Sequence, residues 1–196
     1  MKRNIVLSLA VLAFVGASVA PAQFKKYDIK SGIVTLESVS TIGETQIKMT
    51  KIVYFDDFGS KECQETYTGG KLKTALFSDG KNKISLQLGS KKARNEGPTD
   101  RGIGMRVEIN DMGTKKDIES GVVKIVSPMT LAGQTCEVIQ VKRGGTTDIY
   151  AGWHHVMVYM KSSSSGVTTE IKAVKIEANA AVPKEKFQVP AGFTMQ

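Results

Sequence analysis

The strongest constraint on this chain is a run of short strand-like segments, each closed by a local turn signal. Ile84, Leu86 and Leu88 alternate with Ser85 and Gln87, a period of two that sends successive side chains to opposite faces of a strand. Asp79-Gly80 separates this run from residues 72–77, and Asp-Gly between two such segments signals a hairpin. Residues 41–44 join the first two segments, and 56–60 join 47–55 to 62–67. Turns are also read at 68–71 and 143–146, and the Ser162–Ser165 run with Gly166 is read as the turn between 153–160 and 167–176. Thr, Val and Ile crowd 29–39, 122–126 and 138–141, which suits pleated surfaces. This order predicts an antiparallel, mainly β meander in one domain, without repeats or a domain-scale linker.

Residues 90–120 break the pattern. Met105, Ile109 and Met112 fall at i, i+4 and i+7, which predicts a short helix over 103–112. Gly102, Gly104 and Gly113 oppose a helix, and Val107-Glu108-Ile109 also reads as strand. A helix or lid-like loop lying on the sheet is expected. Residues 153–160 read as one strand that is apolar on both faces. Trp153, Met157 and Tyr159 share one side with His155, and Val156, Val158 and Met160 share the other with His154. A strand buried on both faces fits a sheet curling round a cavity, or a plain two-sheet sandwich.

The first 22 residues read as a signal peptide. Met1-Lys2-Arg3-Asn4 is basic, 5–17 is apolar, and small residues lead to Ala20-x-Ala22. An apolar run of 13 residues is too short to span a bilayer, which takes about 20. Cleavage after Ala22 leaves 23–196 as a single domain, and losing Lys2 and Arg3 lowers the net charge from +8 to +6. No Cys follows the apolar run, so the expected product is periplasmic or secreted and not lipid-anchored. The basic excess is dispersed. Lys91, Lys92 and Arg94, and Lys115 and Lys116, are not interleaved with aromatics, which argues against nucleic acid as a partner. Peripheral contact with an anionic membrane surface stays open, as does the oligomeric state.

Export permits a disulfide, and Cys63 with Cys136 is the one intramolecular pairing. Two separate buried thiols are the alternative. His154 and His155 are the only histidines, and as strand neighbours they would point apart and could not chelate one metal. Asp148 is the nearest acid before them, and no Gly-x-Ser-x-Gly elbow is present. Asp56-Asp57 before Phe58-Gly59 reads as turn chemistry rather than a carboxylate pair, and Gly102-x-Gly104 lacks the rest of a dinucleotide fingerprint. Neither enzyme, metal site nor cofactor is expected. The two-faced apolarity, rich in Met, points instead to an apolar cavity lined by Met49, Val53, Leu86, Leu88, Trp153, Met157 and Tyr159.

The C-terminal third runs Leu131-Ala132-Gly133-Gln134-Thr135-Cys136-Glu137-Val138, then Thr147-Asp148-Ile149-Tyr150-Ala151-Gly152-Trp153. It ends in Val182-Pro183-Lys184-Glu185-Lys186-Phe187-Gln188-Val189-Pro190-Ala191-Gly192-Phe193. With the early turn Tyr54-Phe55-Asp56-Asp57-Phe58-Gly59, this order resembles exported bacterial proteins of a domain-of-unknown-function family similar to the LolA-like lipoprotein-carrier superfamily. The resemblance implies a single curved antiparallel sheet or half-barrel with one or two short helices or a lid over its concave face. It also implies an apolar interior for a hydrophobic ligand, such as a lipid or a lipoprotein acyl chain. The chain departs from that pattern in lacking a long amphipathic helix after the signal, which implies a smaller lid. A cell-envelope interaction module without a small ligand is the alternative. Pro183 and Pro190 interrupt regular pairing on both sides of Phe187, so the tail is expected to be pinned over an edge or mouth of the sheet.

Overall fold

The computed structural model describes residues 25–99 and 101–196; the segment 1–22, read as a signal peptide, lies outside them. The first half is a meander of β1 (Gly32–Ile42), β2 (Thr45–Asp56), β3 (Lys61–Thr68), β4 (Lys71–Asp79), β5 (Asn82–Gln87) and β6 (Lys92–Pro98). A crossing segment follows, with helices α1 (Ile109–Met112) and α2 (Lys115–Glu119). The second half is a meander of β7 (Val123–Leu131), β8 (Gln134–Arg143), β9 (Thr146–Trp153), β10 (Val156–Ser164) and β11 (Val167–Ala178), and β12 (Thr194–Met195) ends the chain. All twelve strands form one sheet in the order β12-β6-β5-β4-β3-β2-β1-β11-β10-β9-β8-β7. The two meanders are joined by β1 pairing with β11 along its whole length. The β7 end curls back far enough to approach β11. This is the curved, open antiparallel sheet with two short helices that the resemblance implied.

The structure corrects several expectations. Residues 153–160 are not one strand. His154 and His155 form a two-residue hairpin loop between β9 and β10, with Val156 opposite Trp153. Both histidines have positive φ, 48° and 67°, as a two-residue turn matched to strand twist requires. Gly69-Gly70 does the same between β3 and β4 without the cost that a Cβ brings to that conformation. Lys92 and Arg94, read with Lys91 as a basic cluster, lie on β6. The helix expected over 103–112 shrinks to the four residues of α1. Three of the four serines from Ser162 extend β10, and the turn is Ser165-Gly166.

The tail is pinned. Phe187 is buried with Cys63, Phe77, Ile84 and Ala93, and Val182, Val189 and Phe193 pack around them. Lys186 donates to Glu65 at 2.6 Å and its ammonium lies over the Tyr54 ring. Thr194 and Met195 then pair in parallel with β6, covering part of that edge.

Candidate functional site

Antiparallel partners share a face, so strand registers trace continuous rows across the sheet. One row on the lid-bearing face runs Ile125–Ile139–Tyr150–Met160–Ile171–Ser38–Met49, crossing β7, β8, β9, β10, β11, β1 and β2. Six of its seven members are apolar or aromatic. The helices cover only part of it: Ile139 is buried in a cluster with Val107 and Met112, while Ile125 stays 51% exposed. Tyr150, Met160 and Met49 are half-buried. Beyond them on the same face, Ile47 lies opposite Ser40, and Ile42 and Ile47 are exposed. An apolar band therefore leads from beneath the lid to the turn end of the β1–β2 hairpin.

The lid is held by a buried acid. Phe55, Glu62 and Ser78 form another row on this face, each fully buried. The Glu62 carboxylate accepts from Lys26 Nζ at 2.5 Å, Gln64 Nε2 at 3.1 Å, Tyr27 Oη at 3.4 Å, and the backbone N–H groups of Ile103 and Gly104 at 3.1 and 2.9 Å. Burial lowers the Lys26 pKa against the opposing pull of Glu62, and burial together with Glu62 raises that of Tyr27. The crossing segment fits Glu62 closely: a Cβ on Gly104 would stand 2.1 Å from Oε1. Lys26 and Tyr27 are brought there because Tyr27 N–H donates to the Phe58 carbonyl and Phe58 N–H to the Lys30 carbonyl. The Tyr27 ring meets Phe55 edge-on with centroids 5.0 Å apart. Farther along, Arg106 donates to the Lys26 carbonyl and to Asp111, and Val107 N–H donates to the His155 carbonyl. Nothing in the sequence singled out Glu62 or Lys26, because each sits in a polar stretch that reads as solvated.

The seven residues expected to line one cavity are spread over several places. Val53 and Met157 meet beneath the lid, in a cavity of only about 20 Å³ shared with Leu36, Lys51 and Met105. Met49 lines an open cavity of about 400 Å³ near Tyr67 and Gly69. Leu86 lies at the tail, in a cavity of about 200 Å³ with Cys63 and Pro190. Leu88, half-buried, lies just past the end of β5. Trp153 is buried in the main core and borders a cavity of about 440 Å³ beside His154 and His155. Tyr159 donates its hydroxyl to Glu170 at 2.9 Å. Val53, Met157 and Met49 are thus the three on or next to the apolar band.

Cys63 and Cys136 are free and buried, in different clusters and six strands apart in the sheet order, so the one bridge the sequence allows is not made. Burial first, and Glu65 second, push the Cys63 thiol up to about 12. His155 Nδ1 faces Asp28 at 3.4 Å rather than Asp148, which lies on β9 five residues before Trp153, roughly 17 Å along the strand. The histidines and Asp148 therefore form no catalytic set. Among the described residues no cluster of three or more His, Cys, Asp or Glu could hold a metal ion, and no helix is long and apolar enough to cross a membrane.

No family model matches the sequence, and no curated protein matches it. Solved structures do share its fold. An uncharacterized conserved protein from Thermus thermophilus is similar over 88% of this chain and 93% of its own, at 8% identity and a TM-score of 0.56. MucB, solved in complex with MucA(peri), is similar over 85% of this chain and 57% of its own, at 11% identity and a TM-score of 0.50. This chain therefore spans little more than half the length of MucB. A LolA superfamily protein from Nitrosomonas europaea aligns over 84% of this chain and 92% of its own, at 8% identity and a TM-score of 0.38. The first two likenesses are of fold. The single curved antiparallel sheet with short helices expected from the C-terminal motifs is present in the sheet order and the crossing segment.

Proposed function

We propose that this chain is an exported, non-enzymatic binding protein or carrier for a hydrophobic ligand such as a lipid or an acyl chain. The ligand lies across the strands on the band from Tyr150 to Met49. The observation behind this reading is the apolar row itself, which crosses seven strands on the face beneath the lid and is left partly uncovered. A soluble protein keeps such a band on a concave face when something apolar is to occupy it. Each methylene taken from water onto such a face contributes about 0.8 kcal/mol. A chain of a dozen carbons would therefore offset the cost of immobilising it. The cavity of about 20 Å³ directly under the lid describes a closed state, so loading requires residues 101–108 to move away from Glu62. The proposed location is the periplasm or the exterior, after removal of residues 1–22.

Native mass spectrometry of gently purified protein, with lipid extraction, tests the reading. A co-purifying apolar molecule, lost when Met160 and Ile171 are both changed to Gln in a chain that still folds, is the expected result. An empty protein that also fails to bind a fluorescent acyl probe would overturn it. A second reading seats an apolar segment of an envelope protein on the same face, without a small ligand. The complex of MucB, which shares the fold, with MucA(peri) favours that alternative.

A further inference from the structure

The face beneath the lid carries one charge that the fold does not balance. Lys51 stands in the row Leu36–Lys51–Thr66–Thr74. It is two residues from Met49 on β2, hence about 7 Å from the apolar row. It is half-buried and lines the 20 Å³ cavity with Leu36, Val53, Gln64, Met105 and Met157. Glu62, the acid facing it, is already matched by Lys26 at 2.5 Å and by four further donors. Lys51 makes no hydrogen bond or ion pair among the described residues; Glu62 acts on it only through space, while burial works against its charge. Lys26, Lys51 and Glu62 together leave a net charge of +1 where water has limited access. The Lys51 ammonium is partly desolvated and has no partner among the described residues, so a monoanion placed against it would gain a charge-assisted hydrogen bond with little competition from the fold.

We propose that Lys51 anchors the head of the ligand, and that the ligand is a long-chain carboxylate. Its carboxylate accepts from the Lys51 ammonium under Gly104 and Met105, and its chain runs along Met49, Ile171 and Met160. This rests on the carrier reading above and adds the head chemistry to it. Charge complementarity calls for a single negative charge. Reclosure of the lid over the loaded head favours a compact group: Gly104 and Met105 leave little space beside Lys51, and a carboxylate needs less displacement of the lid than a phosphodiester with its substituents.

The test titrates the delipidated full chain calorimetrically with myristate, methyl myristate and a fourteen-carbon lysophosphatidylcholine, each below its micelle concentration. Myristate is expected to bind at least tenfold tighter than either of the others. Lys51→Met should remove that advantage while leaving the methyl ester unchanged, and Lys51→Arg should restore most of it. If myristate and its ester bind alike and Lys51→Met changes neither, the head anchor is wrong while the carrier reading stands. Tighter binding of the lysophospholipid overturns the carboxylate assignment. If none of the three binds, the carrier reading falls and the anchor with it. Should Lys51→Met fail to fold by circular dichroism, the three-ligand comparison on the native chain and on Lys51→Arg decides the matter.

Discussion

Replacing Glu62 by Gln probes the join between lid and sheet most directly. The carboxylate is fully buried and receives five donors, two of them lid N–H groups. Gln keeps the volume and one acceptor oxygen, but it places an amide donor against Lys26 or against the lid. Breaking a buried ion pair by removing one partner costs about 3–5 kcal/mol. Lys26 sets a ceiling, because it can shed its proton instead of remaining charged and unpaired. From the ordinary lysine value of 10.5 to pH 7 that release costs at most about 4.8 kcal/mol, at 1.36 kcal/mol per unit, and less because burial already lowers the Lys26 pKa. We therefore expect Glu62→Gln to lose about 3 kcal/mol in urea denaturation at pH 7. The loss should shrink on going from pH 7 to 10. The unfolded chain holds the Lys26 proton up to about 10.5 while the folded variant releases it earlier, so stability rises with pH across that window. Hydrogen exchange at the Ile103 and Gly104 amides should accelerate more than that of the central strands. Adding Lys26→Met should recover most of the loss. A variant within about 0.5 kcal/mol of the native chain, with both amides still protected, would refute the hub.

Three further outcomes follow from the same geometry. Gly104→Ala should loosen the lid and cost about 2 kcal/mol, read by denaturation and by exchange at residues 101–105, since its Cβ would meet Glu62 Oε1 at 2.1 Å. Phe187→Ala should cost about 3 kcal/mol and open residues 180–196 to limited proteolysis, because that ring fills the cluster around Cys63 and Phe77; a tail that stays resistant would show that Lys186 and Glu65 alone hold it. Cys63 and Cys136 should resist thiol reagents at pH 8 in the native state and both react in denaturant without prior reduction. Burial raises both thiol pKa values, so stability on their account is full below the unfolded value near 9 and falls as pH climbs toward the folded values, about 12 for Cys63.

The parts of the fold that were legible in the sequence are those specified by neighbours along the chain. Asp79-Gly80, Gly69-Gly70 and Gly144-Gly145 mark hairpins because their backbone freedom is written in the residue type. His154-His155 makes the same kind of turn with residues that disfavour it, so 153–160 read as one strand. Strand β6 was hidden for the opposite reason: Lys92, Arg94, Asn95 and Glu96 are edge-strand chemistry, which protects a sheet margin and looks like a solvated loop. The β1–β11 pairing that makes one sheet of two meanders spans the whole chain and has no local signature.

The candidate site was less legible because burial of charge is decided by what covers it. Lys61-Glu62-Cys63-Gln64-Glu65 is polar at every position but Cys63 and reads as a solvated stretch. Only the arrival of Lys26 from one side and of Ile103 and Gly104 from the other turns Glu62 into a buried acceptor. The apolar band is similarly scattered: Ile139, Tyr150, Met160, Ile171 and Met49 come from five strands and share a row only through registers that the hairpins fix one after another. Of the residues singled out beforehand, Met49 belongs to that row, with Val53 and Met157 beneath the lid beside it. Leu86 was drawn to the opposite face by the tail, whose Phe187 needs the same kind of apolar floor. An apolar alternating strand states that a face will be covered, and the cover itself, lid or tail, is chosen by contacts made far away along the chain.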